Sequence, residues 1–246
     1  NYGANALQIF LLVMMRATGL FLMAPVFGDK SIPKVIRAGL VILLSGIIAS
    51  VITHPQLPPV ESAWMLAGLA GKEILVGVVI GLVCLLLFMG VETGGALVGY
   101  QMGFAMVEVP DADRSGQVPV MAKFWVLVAT LIFFTINGHH LILSALADSY
   151  EAVPPGMVVA NGAAGELVIK YTAYVFVIAI KVSAPVMITL FLVDIALGVV
   201  SKTMPTMNVF FVGMPIKIAA GLAVIGLSLP LFAYVLEKMA ALLDTE

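Results

Sequence analysis

Long apolar segments separated by short polar breaks are the feature that most constrains this chain. A helix that crosses the hydrocarbon core of a membrane needs about 20 mostly apolar residues, whereas a membrane-barrel strand needs only about ten that alternate in polarity. The segments here are too long and too uniformly apolar for barrel strands, so they predict helices. They are Tyr2 to Gly28, Ala38 to Thr53, Trp64 to Val91, Gly94 to Val107, Phe124 to Ile136, Leu141 to Tyr150, Tyr171 to Val200 and Ile218 to Leu236.

The composition indicates what must surround these helices. Hydrophobic residues make up 62% of the 246 residues and charged residues only 11%, whereas soluble domains usually carry about a quarter charged residues. Because the chain lacks enough polar side chains to cover its surface, much of that surface is expected to face lipid or other protein. The net charge of −2 is too small to indicate a nucleic-acid partner.

Lone charges and short runs argue against simple membrane spans. The run from Phe124 to Ile136 is too short to cross a bilayer, and Lys181 and Asp194 divide another run into shorter pieces. A charge at the bilayer centre costs at least about 2.5 kcal/mol. We therefore expect some charges to face a protein-lined interior and some helices not to be surrounded by lipid.

Glycines recur at helical spacing. Gly77 and Gly81 are four residues apart, as are Gly95, Gly99 and Gly103, which on a helix gives a groove where another backbone can approach closely. The alternative is the ordinary enrichment of glycine in membrane helices. We expect tight helix packing along Gly95, Gly99 and Gly103.

No catalytic or cofactor-binding motif accompanies the apolar runs. His139 and His140 are adjacent, whereas a zinc-binding H-E-x-x-H helix needs histidines four residues apart. The sequence has no G-x-S-x-G elbow, G-x-x-x-x-G-K-[ST] loop or G-x-G-x-x-G loop. We therefore predict no enzyme, no catalytic or metal-binding residues and no cofactor, and we expect Cys84 to be a small buried hydrophobe.

A set of short motifs, taken in order, resembles the FliR family, a component of the flagellar type III protein export gate. The resemblance covers nearly the whole chain, with a small departure at Thr206, a position where the family commonly has glutamine. The motifs are Lys30-Ser-Ile-Pro33, Arg37-Ala-Gly-Leu40, Glu92-Thr-Gly-Gly95, Val98-Gly-Tyr-Gln-Met-Gly103, Asn137-Gly-His-His140, Ala184-Pro-Val186, Asp194 to Gly198, Met207-Asn-Val-Phe210 and Gly213-Met-Pro-Ile-Lys217.

The resemblance implies a structural subunit with no chemistry of its own. Such a subunit assembles with FliP-like and FliQ-like chains into a helical pore in the flagellar basal body, together with FlhB and FlhA. The pore passes unfolded flagellar proteins across the bacterial inner membrane. Its conical assembly stands largely out of the bilayer plane, which would explain helices too short and too charged for simple spanning.

The resemblance also implies two parts, a FliP-like helical part over residues 1–160 and a FliQ-like helical hairpin over residues 161–246. Independently, Pro154-Pro155-Gly156 and the small residues from Ala160 to Gly165 form the most linker-like stretch. The predicted fold class is therefore all-α, with membrane-associated helical hairpins and broken helices.

Three alternatives remain open at this point. The equivalent subunit of a virulence injectisome would carry the same features. A secondary transporter with broken helices would also explain proline and charge inside apolar runs, but it should show inverted internal repeats, and none is found. An intramembrane enzyme lacks a motif.

The polar segment between the apolar runs is implied, by the resemblance, to be a plug in the closed pore, although an ordinary solvent-exposed loop is the alternative. Met102 and Met106, which lead into it, are candidates to face the pore, because flexible thioethers suit a closure that opens around varied passengers. The predicted plug residues are Val107, Glu108, Val109, Pro110, Asp111, Asp113, Arg114 and Gly116.

Asp194 and Lys217 are each lone charges in apolar stretches. If the C-terminal helices form an antiparallel hairpin that turns near Met204 to Met207, the two residues lie level with each other. Because an unpaired buried charge is costlier than a paired one, we expect an ion pair across the hairpin, or pairing of each with a neighbouring subunit. The alternative is that both point to headgroups or water.

Overall fold

A computed structural model describes residues 2–28, 32–52, 62–104, 108–111, 116–158, 162–204 and 208–243. Within these ranges the chain forms seven helices and one two-stranded antiparallel ribbon. The prediction of an all-α protein is confirmed, with the ribbon as a small addition. The elements are α1 (Tyr2–Met23), α2 (Lys34–Val51), α3 (Ala63–Met102), β1 (Glu108–Asp111), β2 (Gly116–Pro119), α4 (Val120–Thr135), α5 (Gly138–Ala152), α6 (Ala163–Thr203) and α7 (Val209–Leu243).

Five of these helices, α1, α2, α3, α6 and α7, are long and apolar enough to cross a membrane. The helices α4 and α5 meet that criterion only as a bent pair, which agrees with the expected shortness of the run ending at Ile136. The break falls at Asn137, whose φ of 56° lies in the left-handed region, a conformation that asparagine adopts more readily than most residues. These two helices supply the broken-helix feature of the fold.

Charged residues do not interrupt the backbone of two long helices. Helix α3 continues through Glu92, and α6 continues through Lys181, Pro185 and Asp194. The reason is that a charged side chain leaves the backbone hydrogen bonds of a helix intact. Polar side chains can also use the helix itself, since Thr93 Oγ1 donates to the Met89 carbonyl at 2.8 Å.

The chain divides into two compact units, and both are discontinuous in sequence. Unit 1 comprises Asn1–Leu86 and Asn137–Tyr171, and unit 2 comprises Leu87–Ile136 and Thr172–Glu246. Helices α3 and α6 therefore contribute to both units. The division expected between residues 160 and 161 falls outside the described residues, so it stays a prediction.

The core of unit 1 forms where α1 packs against α3 and α5. Leu12, Leu20 and Leu146 have no exposed surface. Helices α1 and α3 touch at their backbones: a Cβ at Gly77 would overlap the Arg16 carbonyl oxygen, and one at Gly81 would lie 2.8 Å from that of Leu20. Only glycine permits this approach.

The core of unit 2 surrounds Trp125 of α4, which is completely buried. Its ring meets Phe232 of α7 edge-on, with 4.6 Å between centroids. Gly95 of α3 lies against the Trp125 side chain and Gly99 against Met121. On another face, Gly94 lies against Ala179 of α6. The glycine-bearing half of α3 is thus packed on more than one side.

Gly103 is the third of the glycines expected to line a helix-packing groove, but it does not lie within the helix as Gly95 and Gly99 do. It follows the last residue of α3 and has a φ of +91°. The Phe104 amide donates to the Gly99 carbonyl at 2.9 Å and the Gly103 amide to the Tyr100 carbonyl at 3.2 Å. This pair of hydrogen bonds is a Schellman motif, which satisfies helix-terminal carbonyls and favours glycine. Gly103 therefore ends α3.

We expect Gly77→Ala to destabilise the protein, because the added methyl group meets backbone that cannot move independently. Overpacking of this kind costs typically about 1–3 kcal/mol. Gly71→Ala is the control: Gly71 lies in the same helix with open space around it, and alanine is the better helix former. Thermal midpoints in a mild detergent would measure both, and equal midpoints would contradict the close α1–α3 contact.

Candidate functional site

The most completely bonded polar cluster in the described residues lies in unit 1. Arg16 of α1 and Glu73 of α3 are both fully buried, and Arg16 Nε donates to Glu73 Oε2 at 2.7 Å. The second carboxylate oxygen, Oε1, accepts a hydrogen bond from the Gly156 amide at 2.8 Å. The negative charge is therefore matched at both oxygens.

The remaining Arg16 donors reach the C-terminal end of α5. Nη1 donates to the Ser149 carbonyl at 2.8 Å and to Ser149 Oγ at 3.0 Å, and Nη2 donates to the Val153 carbonyl at 2.9 Å. The guanidinium also lies 4.1 Å from the ring centroid of Tyr150. A cation is favourable at a helix C-terminus, where carbonyl groups lack partners within the helix. Arg16 thus joins α1, α3 and α5.

The neighbouring residues Lys72 and Glu73 have different surroundings. Glu73 has its partner, Arg16, on another helix. Lys72 is exposed, with its Nζ 3.4 Å from the Val158 carbonyl oxygen. The linker-like segment Pro154–Gly156 is held to α3 through the Gly156 amide, so this part of it is packed within unit 1.

In unit 2 the structure brings Asp194 and Lys217 together. Lys217 Nζ lies 2.5 Å from Asp194 Oδ1, and Gln101 Nε2 of α3 donates to Asp194 Oδ2 at 3.3 Å. The side chains of Lys217 and Asp194 are 24% and 37% exposed, so they are less buried than the sequence argument supposed. Removing one partner should accordingly cost less than the several kcal/mol of a fully buried pair.

The polar segment predicted as a plug includes the two-stranded ribbon. Glu108 pairs with Pro119, Val109 with Val118, Pro110 with Gln117 and Asp111 with Gly116. Val118 is buried, so the base of the ribbon is packed in unit 2. Val107, Asp113 and Arg114 lie outside the described residues. The plug role of the whole segment stays a prediction.

The structure corrects the prediction that Met102 faces the pore. Its side chain has no exposed surface and packs over Gly221 of α7, where a Cβ would lie 2.8 Å from Met102 Cε. It fills the core of unit 2 because the missing side chain at Gly221 leaves room for a flexible thioether. Met106 lies outside the described residues.

The described residues contain no group of three or more His, Cys, Asp or Glu side chains that could hold a metal ion. His139 and His140 lie in the first turn of α5, with ring centroids 4.4 Å apart. Cys84 is buried, as expected. The polar clusters in the described part of the chain join helices and have the chemistry of structural contacts.

Sequence reasoning missed the pairing of Arg16 with Glu73. Each residue is a charge inside an apolar run, and a buried charge requires a partner of opposite sign. That rule indicates that partners exist, but it cannot choose them, because several other charges also interrupt apolar runs.

Removing one member of the buried pair should destabilise unit 1 strongly. We expect Arg16→Met or Glu73→Gln to cost about 3–5 kcal/mol, since the surviving partner stays buried. The double variant Arg16→Met/Glu73→Leu should recover much of that loss. Lys72→Met, at the exposed neighbouring position, is the control. Thermal denaturation in detergent measures all four, and a double variant as unstable as the single ones would refute this account.

Known proteins of similar sequence place the chain in a family. Residues 7–243 match the family of bacterial export proteins, family 1. The chain is 36% identical over 213 residues to the flagellar biosynthetic protein FliR of Bacillus subtilis (strain 168), with 85% of this chain and 82% of the relative covered. The FliR of Aquifex aeolicus (strain VF5) is 30% identical over 232 residues, covering 93% and 88%. The FliR of Escherichia coli (strain K12) is 28% identical over 237 residues, covering 95% and 88%.

The FliR resemblance predicted from the short motifs is therefore confirmed. The family match extends over nearly the entire chain and includes both compact units. This chain belongs to family 1 of the bacterial export proteins.

Proposed function

We propose that this chain is a structural pore and gate subunit of the flagellar type III protein export apparatus. It assembles with FliP-like and FliQ-like subunits, associates with FlhB and FlhA, and sits in the bacterial inner membrane at the flagellar basal body. Unfolded flagellar proteins pass through the assembled pore. The subunit shapes and closes this path without catalysis and without a cofactor.

The observation that carries the proposal is the likeness, over most of the chain, to proteins named flagellar biosynthetic protein FliR in several bacteria. Those relatives are described as flagellar, which favours a flagellar apparatus over the injectisome alternative. Five helices capable of crossing a membrane agree with a membrane location.

Exposed apolar surface on the C-terminal helices supports a role inside an assembly. Ile188 and Phe191 of α6 and Phe211 and Leu227 of α7 each expose more than half of their surface. Lys181 is exposed on the same helix as the first two. A purely lipid-covered helix would place that charge in hydrocarbon at a high cost, so partner chains are the better cover for part of this surface.

The ribbon of unit 2 is the proposed closing element. In the chain it follows α3 and leads directly into α4, and buried Val118 anchors its second strand. A short hairpin on rigid supports can block a narrow path and still be displaced by a passing chain.

The first prediction of this proposal concerns assembly. We expect the chain to copurify in mild detergent with FliP-like and FliQ-like subunits, and its level in membranes to fall when those subunits are absent, because its apolar surface is then uncovered. A strain lacking the chain should lose flagella and motility but keep any injectisome secretion. Purification as a stable monomer that transports a small solute would refute the proposal.

The second prediction concerns the ribbon. Because Val109 and Val118 are register partners, residues 110–117 can be replaced by Asn-Gly, a favoured two-residue hairpin turn. This shortened variant keeps buried Val118 and should assemble normally, yet leak small ions in liposomes. A full-length variant with Asp111→Asn, Asp113→Asn and Arg114→Gln is the control. It should not leak ions if the bulk of the ribbon, and not its charge, closes the path. A shortened variant that does not leak ions would count against the plug.

A further inference from the structure

The last turn of α3 is held by α6 and α7 at the place where the chain leaves for the ribbon. The two carboxylate oxygens of Asp194 have different partners: Lys217 Nζ of α7 lies 2.5 Å from Oδ1, and Gln101 Nε2 of α3 donates to Oδ2 at 3.3 Å. One carboxylate therefore joins three helices of unit 2.

Apolar contacts on the same turn of α3 complement this polar cluster. Met102 packs over Gly221 of α7, and a Cβ at Gly103 would lie 3.3 Å from Met214 Cε. The Schellman motif at Gly103 then ends the helix. The conformation at this point determines where the following segment starts.

We propose that Gln101 is a positioning residue for the ribbon, and that Gln101, Asp194 and Lys217 form a latch that fixes the end of α3. The inference rests on the proposed closing role of the ribbon, because the latch would control the position of the ribbon. With the latch closed, the chain leaves α3 in one direction and the ribbon stays in its closed position.

The Arg16–Glu73 and Asp194–Lys217 ion pairs differ in a way that suits this role. Arg16 and Glu73 are fully buried with their charged atoms matched by several partners, so that pair cannot open without disrupting unit 1. Asp194 and Lys217 remain partly exposed, and water can replace their contact at little cost. The latch can therefore open while Met102 stays in the core.

The test removes the contact to α3 and leaves the ion pair intact. Gln101→Met keeps the length of the side chain but cannot donate to Asp194. In the assembled complex, hydrogen exchange at the amides of Gly103 and Phe104 should become about two- to tenfold faster, the range expected for loss of one net hydrogen bond. Tyr100→Phe, at the exposed neighbouring residue, is the matched control and should exchange at the wild-type rate.

A rescue variant separates the latch from the hairpin ion pair. Gln101→Glu with Asp194→Asn exchanges the amide and the carboxylate, so the α3–α6 hydrogen bond can form again while Lys217 loses its partner on α6. We expect this variant to restore slow exchange. The latch is wrong if hydrogen exchange at the Gly103 and Phe104 amides is equally fast in Gln101→Met and Tyr100→Phe. It is also wrong if the Gln101→Glu/Asp194→Asn variant does not restore slow hydrogen exchange.

Ion leakage from liposomes holding the same complexes tests the consequence for the ribbon. Gln101→Met should leak more than wild type and Tyr100→Phe should not. If the shortened ribbon leaks but Gln101→Met is tight, the positioning role is wrong. If both are tight while exchange at Phe104 is faster in Gln101→Met, the closing role of the ribbon has failed and the contact of Gln101 with α3's end stands.

Discussion

The buried pair of Arg16 and Glu73 determines how unit 1 is organised. Taking either charge out of water costs several kcal/mol, and only close, well-directed partners offset that cost. The partners come from α1, α3, α5 and the segment after α5. Both charges are therefore fully matched only when these four segments are packed together. Gly77 follows Glu73 by one helical turn and lies against the Arg16 backbone. The close backbone approach and the ion pair are therefore two aspects of one contact.

Unit 2 is stabilised differently, because among its described residues it has no fully buried ion pair. Its centre is Trp125, packed edge-on against Phe232 and covered by Gly95 of α3. Aromatic contacts and glycine-mediated helix packing need no exact matching of charges. The charged cluster at Asp194 lies towards the surface, where it contributes little to stability and can change partners.

This difference fits the proposed division of tasks within a gate subunit. A pore wall must keep its shape while chains pass, and a fully matched buried ion pair makes local opening costly. A closing element must move, and the ribbon follows in the chain after the end of α3, which is held by weaker, partly exposed contacts. Exposed apolar surface on α6 and α7 is then available for contact with lipid and partner chains.

The sequence by itself determined the fold class, the membrane character and the family. Runs of apolar residues specify helices because backbone hydrogen bonds must be satisfied within lipid or a protein core, and the motifs from Lys30 to Lys217 identified the family. The sequence also suggested that Asp194 and Lys217 lie level, since a simple hairpin fixes that relation.

Only the tertiary structure decided which distant residues meet. It paired Arg16 with Glu73, placed Met102 in the core, and showed that Gly103 ends α3 instead of lining the helix-packing groove. It also showed that α3 and α6 continue past the charges that separate or divide their apolar runs. The physical reason is that periodicity specifies the face of a helix, whereas the choice of partner depends on helix crossings between segments far apart in the chain.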